Sequence, residues 1–567
     1  MPRTFVLVRR WYYILALGLL FPALLIHLGL MVFIDDEAIR ALVAQEMLWS
    51  GNYIAPAMHG DAYLNKPPLW NWLLALSFTL HGGASEWAAR LPTVVSLLGF
   101  AATTYAFSRR YFGSYLAGIH ALTVITCGRM LFWDSMLALI DVTFSWVVYT
   151  QIMLLYYYGR DGRWWRAFGW TYLLTAVAFM LKGLPAIVFQ GLSVFAILGW
   201  RRAWWQLVRP AHLVSGLGCL ALLALYYMQY DHYVDLAQVG ERLFVESGKR
   251  TAVAHGVWET VRHVAAFPFE MSYHFLPWTF LLVYLLRRGS WQLLRTSDFA
   301  AFCLVAFLVN IPVYWLSPNV YPRYLLMLVP LLFASMLWLH QYHARERSST
   351  YTILRYTLLA MMTVVAVVLP LAPLVPQTQL VTYAWPKSIL LGAAAGALVV
   401  AGWRDRRNFL LIFCCFLLLL RVAFNFFVLP PRAAEDERGI AVRATAESVV
   451  RTNADKPLGI YRYTLMEPAT GYYLTQAYGR VVPRYFDRYP EGVVYVGSPL
   501  QYQDLRIEAT DSLYLRHLRT KYPVGYLQYP LPVPAGDGEE LEDGMGSGIK
   551  VKPSRRTSQA PQGSADD

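Results

Sequence analysis

Residues 11–37 read WYYILALGLLFPALLIHLGLMVFIDDE. The apolar run from Trp11 to Phe33 is long enough to cross a bilayer, which takes about 20 residues. It stops at three adjacent carboxylates, Asp35, Asp36 and Glu37. Before it stands MPRTFVLVRR, with three arginines. A signal peptide has a shorter apolar core and a small-residue cleavage site. This run is longer and leads into acids, so it reads as a retained first helix that starts in the cytoplasm and delivers those acids to the far side.

The rest of the chain follows the same pattern. Of 567 residues, 57% are hydrophobic, 15% aromatic and only 15% charged, and mean hydropathy is +0.38; an ordinary globular protein carries about 25% charged residues. A soluble enzyme is excluded. The net charge of +13 does not mark a nucleic-acid binder, because the basic residues form no stripe. Residues 430–567 hold 17 Lys/Arg and 18 Asp/Glu, so the excess lies in the first 429. Further apolar runs predict helices at 88–108, 112–128, 137–157, 167–181, 184–200, 211–229, 272–286, 298–316, 324–341, 353–375, 387–403 and 408–428. With the first, that is about 13 transmembrane helices. Every second gap is rich in arginine: Arg109/Arg110, Arg160/Arg163/Arg166, Arg201/Arg202/Arg209, Arg287/Arg288/Arg295, Arg345/Arg347 and Arg404/Arg406/Arg407. The positive-inside bias puts these gaps in the cytoplasm and, with an odd count, the C-terminus outside. All five cysteines lie in apolar segments, which indicates neither a disulfide framework nor a CxxC zinc site.

The outer gaps are 34–87, about 230–271, short ones at Arg129–Asp134, Lys182 and Ser317–Arg323, and the C-terminal region. Long structured loops on one face suit a reaction chamber there, whereas transporters place polar groups near the midplane. Residues 37–53 carry apolar side chains at helical spacing (Ile39, Leu42, Val43, Met47) and predict an amphipathic helix in the first loop. Three units are expected: a transmembrane domain at 1–429, a small outer α/β domain at 430–531, and a disordered tail at 532–567, where almost nothing could be buried.

Several residues in the outer gaps could do chemistry. Asp35, Asp36 and Glu37 attract a cation and raise one another's pKa, or simply mark the outer end of a helix. Lys66 precedes Pro67-Pro68, which fix an extended backbone; a lysine on a rigid turn suits a phosphate, although a lone interfacial lysine often only snorkels. A group leaving as a phosphate anion needs positive charge to neutralise it, and Lys66 and Arg323 are the preferred sources, with Arg242, Lys249 and Arg250 as alternates. The acceptor hydroxyl needs a base, and Asp36 fits. Asp134 shares that work or caps a helix. Tyr324 hydrogen-bonds the phosphate or belongs to an interfacial aromatic belt. Asp141, about two turns deeper than Asp134, reads as a structural pair with a neighbouring helix and is kept out of the catalytic set.

Taken in register, these stretches resemble a known family. Asp36-Glu37-x-x-Arg40-Ala41-x-x-Ala44-x-Glu46-Met47, then Gly51, Lys66-Pro67-Pro68 and Glu86-Trp87-Ala88-x-Arg90-Leu91-Pro92 resemble the first periplasmic loop of the bacterial ArnT-like glycosyltransferases, within the protein O-mannosyltransferase superfamily of GT-C fold. The likeness continues in Arg129-x4-Asp134-x-x-Leu137, Lys182-Gly183-x-Pro185, Leu276-Pro277-Trp278 and Pro322-Arg323-Tyr324-Leu325, over roughly residues 10–340. It implies a multi-pass inner-membrane enzyme of GT-C type with its C-terminal domain in the periplasm, a polyprenyl-phosphate-sugar donor, and inversion at the anomeric carbon. The acceptor is lipid A, another envelope glycan or a protein. By the same resemblance Asp36 and Asp134 are catalytic and Lys66 holds the donor phosphate, with Arg323 and Tyr324 added by the charge argument above. A divalent ion, if used, would sit on Asp36 and Glu37, with His255 and His263 as further ligand candidates; no organic cofactor and a monomer are expected. The acidic residue that commonly precedes the lysine in the family is Asn65 here. The rival reading from a different class is a lipid or glycolipid flippase.

Overall fold

The computed structural model describes residues 3–238, 240–241, 257–318, 320–502 and 505–528. Arg242, Lys249, Arg250, His255 and the tail expected at 532–567 lie outside them. Among the described residues six helices are long and apolar enough to span a membrane: Glu86–Thr126, Pro210–Tyr230, Asp298–Trp315, Ser349–Leu374, Ala384–Arg404 and Arg406–Ala434. Ile140–Arg160, Trp164–Lys182 and Pro185–Arg201 pack with them, and Arg3–Leu25 lies along Phe409–Phe427. Large apolar side chains on the outward faces, such as Leu217, Leu220 and Leu225, are more than half exposed. A surface of that kind is stable only against hydrocarbon.

Glu86–Thr126 contains the two helices predicted at 88–108 and 112–128. Gly113, at φ 75° and ψ 168°, breaks it, a conformation only glycine adopts freely. The Ser108 hydroxyl and His120 Nδ1 meet at 2.6 Å across the break, so the two limbs lie side by side. The helix predicted at 272–286 is not continuous. Val257–His274 ends, and after Pro277 only a 3-10 segment, Trp278–Tyr284, follows. Proline has no N–H to give and its ring collides with the preceding turn. The broken segment has a partner: Gly128 N–H donates to the Leu276 carbonyl at 2.7 Å, and Trp278 Nε1 donates to Thr126 Oγ1 at 3.0 Å. A Cβ on Gly128 would stand 2.7 Å from that carbonyl oxygen, so glycine is required where this turn meets the stretch leading to Asp134.

The first long loop is ordered. Asp35–Ser50 is helical as predicted, and a second helix, Leu69–Leu80, follows Pro67-Pro68. Between them β1 (Ala57–Met58) and β2 (Asp61–Ala62) form a hairpin turning at His59 and Gly60, both at positive φ. Buried Glu46 holds the turn by accepting from His59 N at 2.7 Å and Gly60 N at 3.2 Å. Its burial pushes the carboxyl up to about 7 despite those bonds.

The C-terminal part is the small α/β unit expected. β3 (Leu458–Tyr461), β4 (Arg484–Tyr485), β5 (Val494–Val496), β6 (Ile507–Leu515) and β7 (Thr520–Leu527) make one sheet in the order β4-β3-β5-β7-β6. β3 is parallel to β4 and β5, and β7 is antiparallel to β5 and β6. Helix Pro468–Tyr478 makes the crossover from β3 to β4, as parallel pairing demands, and packs on Glu437–Thr452 and on the loop helix Asp35–Ser50. The unit therefore rests on the loop that carries the predicted site.

Candidate active site

Asp35, Asp36 and Glu37 form the first turn of a helix, where the dipole favours negative charge. They do not share a fate. Glu37 is fully buried and turns back to accept from Ile34 N at 3.1 Å. It accepts from Arg90 Nη2 at 2.7 Å and Nε at 3.1 Å, and from Ala138 N at 3.0 Å. Arg90 in turn donates to the carbonyls of Leu28 and Met31 at 3.0 and 2.9 Å. Glu37 thus ties the end of the first helix, the helix bearing Arg90 and the segment before Ile140 into one knot.

Asp36 points the other way and its side chain is 49% exposed. Its Oδ2 accepts from Arg323 Nη2 at 3.0 Å. Arg323 sits on the short 3-10 turn Pro322–Leu325 and also lies 3.3 Å, through Nε, from Asp141 Oδ2. The other oxygen of Asp141 accepts from Lys182 Nζ at 2.5 Å. Lys182, the last residue of its helix, stands 3.9 Å from the centroid of the Tyr324 ring. Tyr321 lies under the Arg323 guanidinium at 4.5 Å. Lys66, half-buried, acts electrostatically on Asp141. Two cations and two acids, from four separate stretches of chain, are therefore in direct contact, and Lys66 acts on them by charge.

Asp134 adjoins this cluster and feels the charges of Asp141 and Arg323, but it is 1% exposed. Arg129 Nε lies 3.1 and 3.2 Å from its two oxygens. Burial nonetheless pushes the carboxyl up to about 6. The expected helix from 137 begins instead at Ile140, and Asp134 starts only a three-residue 3-10 turn. Residues 137–139 run extended because their backbone bonds go elsewhere: Leu137 O accepts from Thr93 Oγ1 at 2.8 Å, and Ala138 N–H donates to Glu37 Oε2 at 3.0 Å. Asp141 therefore lies in the first turn of its helix, at the site rather than two turns below it. Sequence reasoning quoted Lys182 only as part of a motif and set Asp141 aside. The signal that would have found them is an acid and a base in neighbouring apolar helices, each costly unless paired.

The residues do not fit a divalent ion. Asp36 is paired with an arginine, and both oxygens of Glu37, the other expected ligand, are occupied by N–H donors. Among the described residues no three His, Cys, Asp or Glu side chains gather. His263 approaches the Tyr314 carbonyl at 3.4 Å and packs on Phe267, which is a structural placement.

A cavity of about 1,100 Å³ opens beside the site. Its walls are apolar side chains of Leu28–Val32, Phe132–Leu137, Val364–Val375 and Leu420–Leu429, and Glu37 and Arg90 line its end. Arg432, Glu435, Asp436 and Arg516 stand at its polar side. Asp36, Arg323, Asp141 and Lys182 do not line it.

Residues 65–227 match the family model described as dolichyl-phosphate-mannose-protein mannosyltransferase. The undecaprenyl phosphate-alpha-4-amino-4-deoxy-L-arabinose arabinosyl transferase of Pseudomonas paraeruginosa is 26% identical over 276 residues, 47% of this chain and 46% of that one. An arabinosyl transferase of the same description from Pseudomonas fluorescens is 27% identical over 304 residues, 52% and 51% of the two chains. The chain thus spans about half the length of the curated relatives it matches. The crystal structure of ArnT from Cupriavidus metallidurans bound to undecaprenyl phosphate superposes with a TM-score of 0.61 at 18% identity, over 92% of this chain and 98% of that one. At that identity the superposition establishes a shared fold, and in fold the chain resembles ArnT. The family match covers Lys66, Arg129, Asp134, Asp141 and Lys182, but neither Asp36 nor Arg323.

Proposed function

We propose that this ArnT-like chain is an inner-membrane glycosyltransferase that moves a sugar from a polyprenyl-phosphate donor to a lipid-borne hydroxyl on the periplasmic side. The observation that carries it is the cluster of Lys66, Lys182 and Arg323 around Asp141, with half-exposed Asp36 at its rim. Counting Arg129 and Asp134, four cations face three acids, one positive charge in excess. A phosphate entering there completes the balance. Desolvated, prealigned cations stabilise a departing phosphate far better than water does.

In the reaction the acceptor oxygen bonds to the anomeric carbon as the bond from that carbon to the phosphate oxygen breaks. The electron pair leaves with the polyprenyl phosphate, whose new charge falls to Arg323, Lys182 and Lys66. Asp36 takes the acceptor's proton from the opposite face, and the anomeric centre inverts. Asp141 touches neither substrate; it holds Lys182 and Arg323 in register. Tyr324, with its ring against Lys182, keeps that ammonium from swinging away. No step is assigned to a metal.

Placement supports this reading of the side and the acceptor. Asp141 stands at one end of Ile140–Arg160 and arginine at the other, so the cluster lies away from the arginine-rich gaps and outside by the positive-inside rule. A cavity of about 1,100 Å³ exceeds the roughly 300–1,000 Å³ of ordinary small-molecule sites. Its hydrocarbon walls with a charged mouth suit acyl chains beneath a polar head. Charges gathered at one end, rather than at the midplane, speak against the flippase reading. The test is purified protein with undecaprenyl-phosphate-linked sugars and a lipid acceptor. Transfer is expected, and it should be lost in Asp36→Asn and Lys66→Ala; transfer that survives both substitutions refutes the site. Movement of lipid across proteoliposomes without transfer refutes the activity.

A further inference from the structure

The C-terminal unit grips the chain just before Asp36. Phe33 is fully buried; its ring meets Tyr472 edge-on at 4.8 Å and stacks on Tyr473 at 6.4 Å. Its backbone N–H donates to the Tyr473 hydroxyl at 2.9 Å. That hydroxyl donates to Glu86 Oε1 at 2.6 Å, and Arg443 pairs with the same carboxylate. One turn of the C-terminal unit away, Gly439 lies so close to Val32 that a Cβ there would stand 2.5 Å from Val32 Cγ2. On its other side Phe33 lies under the Arg90 guanidinium at 5.4 Å, the same arginine that holds Glu37. Residues 32–37 are therefore fixed from two sides, by the membrane bundle through Arg90 and by the outer unit through Tyr473. Neither anchor touches the open side where Asp36 meets Arg323.

We propose that Tyr473 is a positioning residue for Asp36, and that the C-terminal unit acts in the reaction by setting where that carboxylate stands. The proposal rests on the reading of Asp36 as the base. A buried hydroxyl that accepts from one element and donates to another is used in both directions, so deleting it leaves the Phe33 N–H without a partner. The ring contacts survive in Tyr473→Phe. The loss is local: the backbone three residues before Asp36 gains freedom, and a base displaced by about 1 Å can cost on the order of 100-fold in rate.

The experiment compares wild type with Tyr473→Phe by hydrogen exchange and by kinetics. Expected are amide exchange at 31–38 faster by about tenfold, and kcat lower by about 10- to 100-fold. The donor KM and the binding of undecaprenyl phosphate alone should stay within about twofold, because Lys66, Lys182 and Arg323 are untouched. Unchanged exchange at 31–38 overturns the proposal, whatever the rate. Faster exchange spread through 437–527 with a lower melting point also overturns it, since Tyr473 would then only hold its own unit together. If Tyr473→Phe misassembles, Glu86→Gln is measured on the same peptides, with faster exchange at 31–38 supporting the proposal and none overturning it. If wild type transfers no sugar from any donor, the glycosyltransferase reading falls, while the exchange data still decide whether Tyr473 fixes the loop.

Discussion

Two arginine-centred sites lie on either side of a single peptide bond. Arg90 meets Glu37, and Arg323 meets Asp36. In the first, every carboxylate oxygen is taken and nothing is exposed. In the second, one oxygen is paired, half the side chain faces solvent, and the arginine divides itself between two acids. A saturated knot holds elements together and has no capacity left for a substrate. An under-coordinated pair can exchange partners, so on the proposed reading neighbouring acids of the same chemistry divide framework work from reactive work.

Substitutions break this comparison most visibly at Asp36. Asp36→Asn should lower turnover by about 10²–10⁴-fold and leave the melting point unchanged, as transfer assays and calorimetry would show. Lys182→Met removes a cation facing the departing phosphate and should cost about 10²–10³-fold in turnover, with weaker binding of undecaprenyl phosphate. Glu37→Ala should do the reverse. It leaves Arg90 buried and unpaired, a loss of about 3–5 kcal/mol, read as lower thermal stability and poor recovery from detergent. Should Glu37→Ala instead spare the fold and abolish turnover, the division between the two sites fails.

The smallest effect concerns pH and Asp134. Its carboxyl is pushed up to about 6 by burial, so between about pH 4 and 6 the folded state binds more protons than the unfolded. Stability is then fully present below that window and falls as pH rises through it, by on the order of 1–3 kcal/mol. Asp134→Asn should flatten the melting-point profile across the same window.

Much of this was legible in the sequence, and the residues explain which parts. Apolar runs gave a helical membrane bundle, and the soluble pattern of the C-terminal part gave its small sheet with packed helices. Asp36, Lys66, Arg323 and Tyr324 were placed together by their shared position in outer gaps. The site centre was misjudged because a hydropathy window starts a helix where apolar residues start. It cannot see that the Leu137 carbonyl is spent on Thr93 and the Ala138 N–H on Glu37, which delays the helix to Ile140 and lifts Asp141 into the cluster. Glu37 was misread for a related reason: its partner Arg90 is 53 positions away, and one acid in a row of three looks like the others. The Pro277 break and the Gly113 reversal were likewise matters of single-residue backbone geometry inside otherwise apolar text.

The cavity wall carries a consequence of its own. Val364, Val365 and Val368 line it, and Val364 and Val368, with Val367 beside them on the same helix, are mostly exposed, which opens the cavity along a membrane-facing helix. A guest can thus slide in sideways from the leaflet without passing through water. Its effective concentration is then its mole fraction among neighbouring lipids, and diluting the bilayer with inert phospholipid should slow the protein even when the amount of substrate in the tube is held fixed.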